Sequence, residues 1–126
     1  MPDSIAQFAN AKYLNLETFR KSSASVRTPV WFAQATGQAV FYVYSEADAG
    51  KVKRIRNNSK VRVAPCSFRG EARGEWMDAR ARICGEEESA RGQQLLRAKY
   101  GWQKAIADFF GKLRGHKHAV IAIEFA

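Results

Sequence analysis

"VRTPVWFAQATGQAVFYVYSEADAGKVKRIRNNSKVRVAPC", residues 26–66, sets the fold class. Residues 26–34 are rich in β-branched and aromatic side chains, and "TGQ" interrupts the run just before a second such segment at 39–45. That pattern predicts a hairpin of two strands. Pro29 has no N–H to give a ladder, so the first strand must have an edge, a bulge or a ligand at that point. From Asp48 the texture changes. Val52 and Ile55, three apart, share one face of a short helix that "NNS" ends, with Ser45 or Asp48 available to cap its start. "KVRVAPC" (60–66) then alternates as a third strand.

The rest of the chain extends the same theme. "KYLNLETFR" (12–20), "EWMDARARIC" (75–84) and "HAVIAIEF" (118–125) read as further strands. The third of these follows a helical segment expected at 102–113. "EEESARGQQLLRAKYG" (86–101) is the clearest helix: its glutamates suit the positive N-terminal end and Gly101 stops it. Residues 1–10 read as an arm with a helical turn. Six strands interrupted by short helices, without repeats, predict a mainly β architecture: a six-stranded barrel carrying short helices at its rim.

With 126 residues, 46% of them apolar, the sequence suits a single domain built on one core. No apolar run approaches the roughly 18 residues a membrane helix needs, and "MPDSIAQFAN" lacks the pattern of a secretory signal, so the chain reads as cytoplasmic. Cys66 and Cys84 read as buried free thiols, since neither a disulfide framework nor zinc-ligand spacing is present. His116 and His118 would share a strand face but lack a third metal ligand. The run Glu86–Glu88 is explained by the helix start and needs no catalytic role.

A net charge of +9 draws polyanions of any kind without choosing among them. On a helical wheel, Lys51 and Arg56 flank the Val52/Ile55 stripe, whereas Lys53 and Arg54 fall towards a solvated face. Lys51 differs by position. It sits in a first helical turn, where unpaired N–H groups and the helix dipole favour an anion, and Gly50 beside it allows close backbone approach. Strand, hydroxyl (Ser45), short loop, Gly50-Lys51 and helix together can surround a phosphate.

The ordered set "TPVWFA" (28–33), "FYVYS" (41–45), "GKVKRIRNN" (50–58), "VRVAPC" (61–66) and "KYG" (99–101) resembles the FMN-binding split-barrel superfamily. That superfamily includes pyridoxamine 5'-phosphate oxidases and oxidoreductases that use the deazaflavin coenzyme F-420. The resemblance implies a split β-barrel homodimer with FMN or deazaflavin at the subunit interface. It further implies that Thr28, Pro29, Val30 and Trp31 lie along the ring, with Tyr44 close by, while Ser45, Gly50 and Lys51 hold the phosphate. The oxidase's phosphate arginine falls near Pro29, leaving Arg27, two residues earlier on the same strand face, as its stand-in. The oxidase's Arg-Gln pair is replaced by Ala79-Arg80. The short, basic "PVW" version looks closer to the deazaflavin branch.

The expected function is therefore hydride transfer to or from a small conjugated substrate by bound flavin or deazaflavin, with the cofactor supplying the chemistry. Of the aromatic residues, Trp31 is the one expected at the ring; Trp76, Tyr42, Tyr100 and Trp102 suit a core. A non-enzymatic flavin carrier or sensor would share the site. A nucleic-acid binder ranks last, because the basic residues are dispersed and no recognition motif is present. A membrane partner is not expected.

Overall fold

The computed structural model describes residues 5–35, 39–47, 49–101 and 118–125. Its strands are β1 (Tyr13–Phe19), β2 (Ser25–Gln34), β3 (Val40–Glu46), β4 (Lys60–Cys66), β5 (Met77–Ile83) and β6 (His118–Glu124). Helix α1 (Gly50–Asn57) joins β3 to β4, and α2 (Glu86–Tyr100) follows β5. The strands close into an antiparallel barrel in the order β1-β2-β3-β6-β5-β4. The six expected strands are all present. The helix expected at 102–113, His116 and Trp102 lie outside the described residues.

Alternation along each strand builds the core. Leu14, Leu16, Val30, Phe32, Phe41, Val43, Val61, Val63, Ile121 and Ile123 point inward. One end of the barrel is plugged by α1, whose Val52 and Ile55 are buried in that core. The other is filled by Phe8, from the helical turn of the N-terminal arm. Its ring meets those of Phe41 at 5.0 Å and Phe32 at 5.9 Å, edge to face.

Helix α2 lies on the outside of the barrel against β2, β3 and β6, over a smaller cluster of Ala35, Tyr42, Val120 and Ala122. Contact is so close at Gly92 that a Cβ there would lie 2.8 Å from Val120 Cγ1. Arg82 on β5 ties the start of α2 to the barrel by hydrogen bonding both Glu88 and Glu124, and the Tyr42 hydroxyl donates to Glu88 at 2.9 Å. Cys66 and Cys84 are both free, as expected; Cys66 is buried but Cys84 only half so. Among the described residues, no helix is long and apolar enough to cross a membrane.

Candidate functional site

The barrel wall parts between β2 and β3. Only Phe32–Gln34 of the ten-residue β2 pair with β3, opposite Val43–Phe41. Below these rungs β2 follows β1 down to Ser25, while β3 follows β6 as far as the Glu46–His118 pair. Continuing the β2–β3 register would set Trp31 against Tyr44, Val30 against Ser45 and Pro29 against Glu46, yet no ladder joins them among the described residues. Backbone groups along such an edge need partners from elsewhere. Pro29, whose ring replaces the N–H, sits where β2 has no β3 partner, so of the edge, bulge or ligand its missing donor allowed, the described residues show an edge.

Side chains on the two lips divide by strand parity. Val30 and Ser45 turn inward and are buried; Trp31 and Tyr44 turn outward and are half-buried. Thr28 is half-buried and Pro29 exposed. Trp31 stacks on Tyr100 of α2, with ring centroids 5.1 Å apart. The Tyr100 hydroxyl accepts the Phe32 N–H at 3.0 Å and reaches the carbonyls of Phe32 and Lys12. It occupies the place of a ladder partner beyond the start of β1. Burial raises the Tyr100 phenol well above its ordinary value. Tyr44 stacks on His118 of β6 at 4.7 Å.

The tip of α1 lies at the same end of the barrel, just beyond β3. Its N-cap is Ala49, which has no side-chain acceptor to offer, and its first turn contains no acidic residue. Of the two expected caps, Ser45 does not act as one, its hydroxyl donating to the Glu46 carbonyl at 3.1 Å, and Asp48 lies outside the described residues. Lys51 is half-buried without an ion pair among the described residues. Burial, then the neighbouring Arg54, push its ammonium pKa down, against a smaller opposing pull from Glu46. A cation desolvated in this way is poised to take an anion.

The solvated face expected of Lys53 and Arg54 holds only for Lys53. Arg54 is half-buried, its Nε donates to the buried Thr18 hydroxyl at 2.7 Å, and its guanidinium folds back over the first turn. A Cβ on Gly50 would stand 2.7 Å from Arg54 Nη1. Gly50 thus makes room for this side chain as much as for any ligand. Burial and the charge of Arg20 lower the Arg54 pKa. Sequence reading missed Arg54 because its anchor, Thr18, lies on a distant strand.

Arg27 turns the other way. Its Nε pairs with the buried Glu17 carboxylate at 2.6 Å, and its guanidinium lies 4.6 Å from the Trp76 ring centroid. Arg62 shares both the carboxylate and the indole. The guanidinium found at the helix tip is therefore that of Arg54, and Arg27 is engaged in the cluster beside Trp76. Among the described residues, no group of three or more His, Cys, Asp or Glu could hold a metal ion.

No protein-family model matches the chain, and neither does any curated protein. Solved structures do. The heme storage protein HutZ from Vibrio cholerae aligns over 99% of this chain and 89% of its own, with a TM-score of 0.73 and 16% identity. A Clostridium acetobutylicum protein of the pyridoxinephosphate oxidase family, related to general stress protein 26, aligns over 98% and 81%, with a TM-score of 0.68 and 12% identity. An FAD-binding protein from Mesorhizobium loti aligns over 98% and 84%, with a TM-score of 0.62 and 16% identity. Likeness at this level of identity is a likeness of fold, and together with the parted β2–β3 wall it makes the chain a six-stranded split β-barrel.

Proposed function

We propose that the chain is a pyridoxamine 5'-phosphate oxidase-like flavoprotein that acts as an oxidoreductase on a small conjugated substrate with FMN or the deazaflavin coenzyme F-420. The single observation that carries this reading is the parted seam with a cationic helix tip at its rim. An open strand edge offers backbone groups to a planar ring, and Trp31 and Tyr44 flank it with aromatic surface. The uncapped amides of α1, Lys51 and Arg54 offer a phosphate charge-assisted hydrogen bonds. The bound ring would supply hydride transfer, while the protein binds it, orients it and excludes water.

The seam faces outward on a single barrel, and a homodimer in which a second copy covers it completes the proposal. Two free thiols fit a reducing cytoplasmic compartment. Structural neighbours described as FAD-binding and as belonging to the pyridoxinephosphate oxidase family favour a flavin. A heme-holding role is the second reading, favoured by the HutZ likeness and by an imidazole, His118, whose ring nitrogens have no hydrogen-bond partner among the described residues.

Absorption spectra of the purified protein, alone and after adding FMN, coenzyme F-420 or heme, separate these readings. Saturable binding of FMN or F-420 that weakens in Lys51→Ala is the expected result. Binding of heme alone would replace the flavin reading with the second one, and binding of none of the three would refute both.

A further inference from the structure

A cavity of about 500 Å³ lies beside the start of β1, between the N-terminal arm and the turn that follows β4. Its two walls are fixed to each other. The Gln7 carboxamide donates to the Glu75 carbonyl at 2.9 Å and accepts the Glu75 N–H at 2.9 Å, clamping the arm to the far end of the turn. Gly74 permits this approach, since a Cβ there would stand 2.7 Å from Pro65 Cγ. The turn is folded back on itself by the Arg73 N–H, which donates to the Pro65 carbonyl at 2.7 Å, and by the Ser67 hydroxyl, which accepts the Glu71 N–H at 3.2 Å. The cavity is thus formed before any ligand arrives, as binding pockets usually are.

Its lining divides by chemistry. Tyr13 and Phe68 bring aromatic rings, and Ala11, Pro65 and Cys66 add apolar surface. Phe68 is 66% exposed, so covering its ring with a ligand would still remove apolar surface from water. Beyond Gln7 and Ser67, which are engaged in the turn, the polar side chains are Asn10, Lys12 and Arg73. Like the Tyr13 hydroxyl, these make no hydrogen bond or ion pair among the described residues. All of them can donate, and among the described residues no carboxylate lines the cavity. A planar ring with oxygen acceptors matches that inventory, and a cation does not.

Tyr13 ties the cavity to the seam. It pairs with Trp31 of β2 on one side and with Cys66 of β4 on the other. Side chains paired in this way share a sheet face, with Cβ atoms about 4.5–5.5 Å apart. The cavity therefore begins one side chain away from Trp31.

We propose that this cavity binds a planar aromatic molecule carrying carbonyl oxygens, of the quinone class, between Tyr13 and Phe68 and beside the ring assigned to the seam. A volume of about 500 Å³ suits a molecule of two fused rings, within the roughly 300–1,000 Å³ of small-molecule sites. Its role as the substrate pocket rests on the reading of the seam; its occupancy does not.

Equilibrium dialysis of the full chain against 2,3-dimethyl-1,4-naphthoquinone tests this, with 1-naphthalenemethylamine as a cation of the same two-ring size. Methyl groups block both quinone carbons open to thiol attack, so Cys66 cannot trap the probe covalently. The expected result is saturable quinone binding at one site per chain, with or without FMN, and tighter than binding of the amine. Phe68→Ser should weaken it by roughly two- to tenfold, the weight of one aromatic contact, and Arg73→Glu should narrow the preference over the amine, while Lys53→Ala leaves both unchanged. Phe68 and Arg73 are exposed, so their variants keep the fold. No saturable binding, equal affinity for the amine, no loss in Phe68→Ser, an unaltered preference in Arg73→Glu, or displacement of the quinone by FMN would each overturn the proposal. Quinone binding that depends on Phe68 in a chain that binds neither FMN nor F-420 would uphold the pocket and remove the reading of the seam, and the reverse result would do the opposite.

Discussion

Arg54 Nε donates to Thr18 Oγ1 at 2.7 Å, a bond from the helix at the barrel rim to the end of β1, and it holds a guanidinium over the first turn of α1. Two consequences follow for the helix tip. Its positive field comes from Arg54 and Lys51 together rather than from Lys51 alone, and Gly50 is the residue whose small size allows the arrangement.

Gly50→Ala separates local stability from site geometry. A methyl here meets the far end of a flexible side chain, so Arg54 can swing aside. Alanine favours helix over glycine by about 0.5–1 kcal/mol. The variant should melt at the same temperature as the parent or slightly above, yet bind FMN or F-420 more weakly. Unchanged affinity in a correctly folded variant would show that the guanidinium plays no part in the site.

Lys51 and Lys53 stand two residues apart on one helix but in different surroundings, one half-buried and one exposed. Lys51→Ala removes a charge-assisted contact and should weaken cofactor binding by about 1.5–3 kcal/mol. Lys53→Ala should change it by less than about 0.5 kcal/mol, as for most surface substitutions. Similar losses at both positions in a binding titration would mean that a diffuse basic surface, not a pocket, attracts the ligand.

How much of this was legible in the sequence depends on how far apart the cooperating residues lie. Strand alternation, the Val52/Ile55 stripe and the acidic start of α2 are local signals, and each led to the correct element. The open edge at Pro29 was also readable, because a missing N–H is a property of one residue. Arg54 and Arg27 were not. Thr18 draws Arg54 inward from the face assigned to solvent, and Glu17 with Trp76 holds Arg27 away from the helix tip. Each outcome rests on a pairing across strands that no window of sequence contains. Phe8 is similar: only the closed barrel shows that the N-terminal arm supplies a core ring.

The link between Arg82 and Glu88 predicts a stability that depends on acid. Hydrogen bonding from Arg82, supported by Tyr42, holds the Glu88 carboxyl down to about 2 from an ordinary 4.5, against the opposing effect of burial. A carboxyl whose folded pKa is depressed stabilises the fold fully above its unfolded pKa. That contribution fades as pH falls from about 4.5 towards 2. Urea midpoints measured across this window should fall more steeply in the parent than in Glu88→Gln, which has no proton to take up. Parallel curves would remove Glu88 from the acid response.

Tyr100→Phe isolates the hydroxyl that ends the β1–β2 ladder. The ring can still stack on Trp31, but the Phe32 N–H loses the acceptor it has at 3.0 Å, and the Lys12 and Phe32 carbonyls lose their shared donor. Leaving a buried amide unsatisfied costs about 1–3 kcal/mol. The urea midpoint should fall accordingly, and hydrogen exchange at the Phe32 amide should quicken more than at Val43 on the intact β3 ladder. Because Phe32 is the first rung below which β2 and β3 part, loosening it should also widen the seam and weaken FMN or F-420 binding. A variant with parental stability and parental exchange at Phe32 would show that the aromatic stack alone fixes α2 against β2.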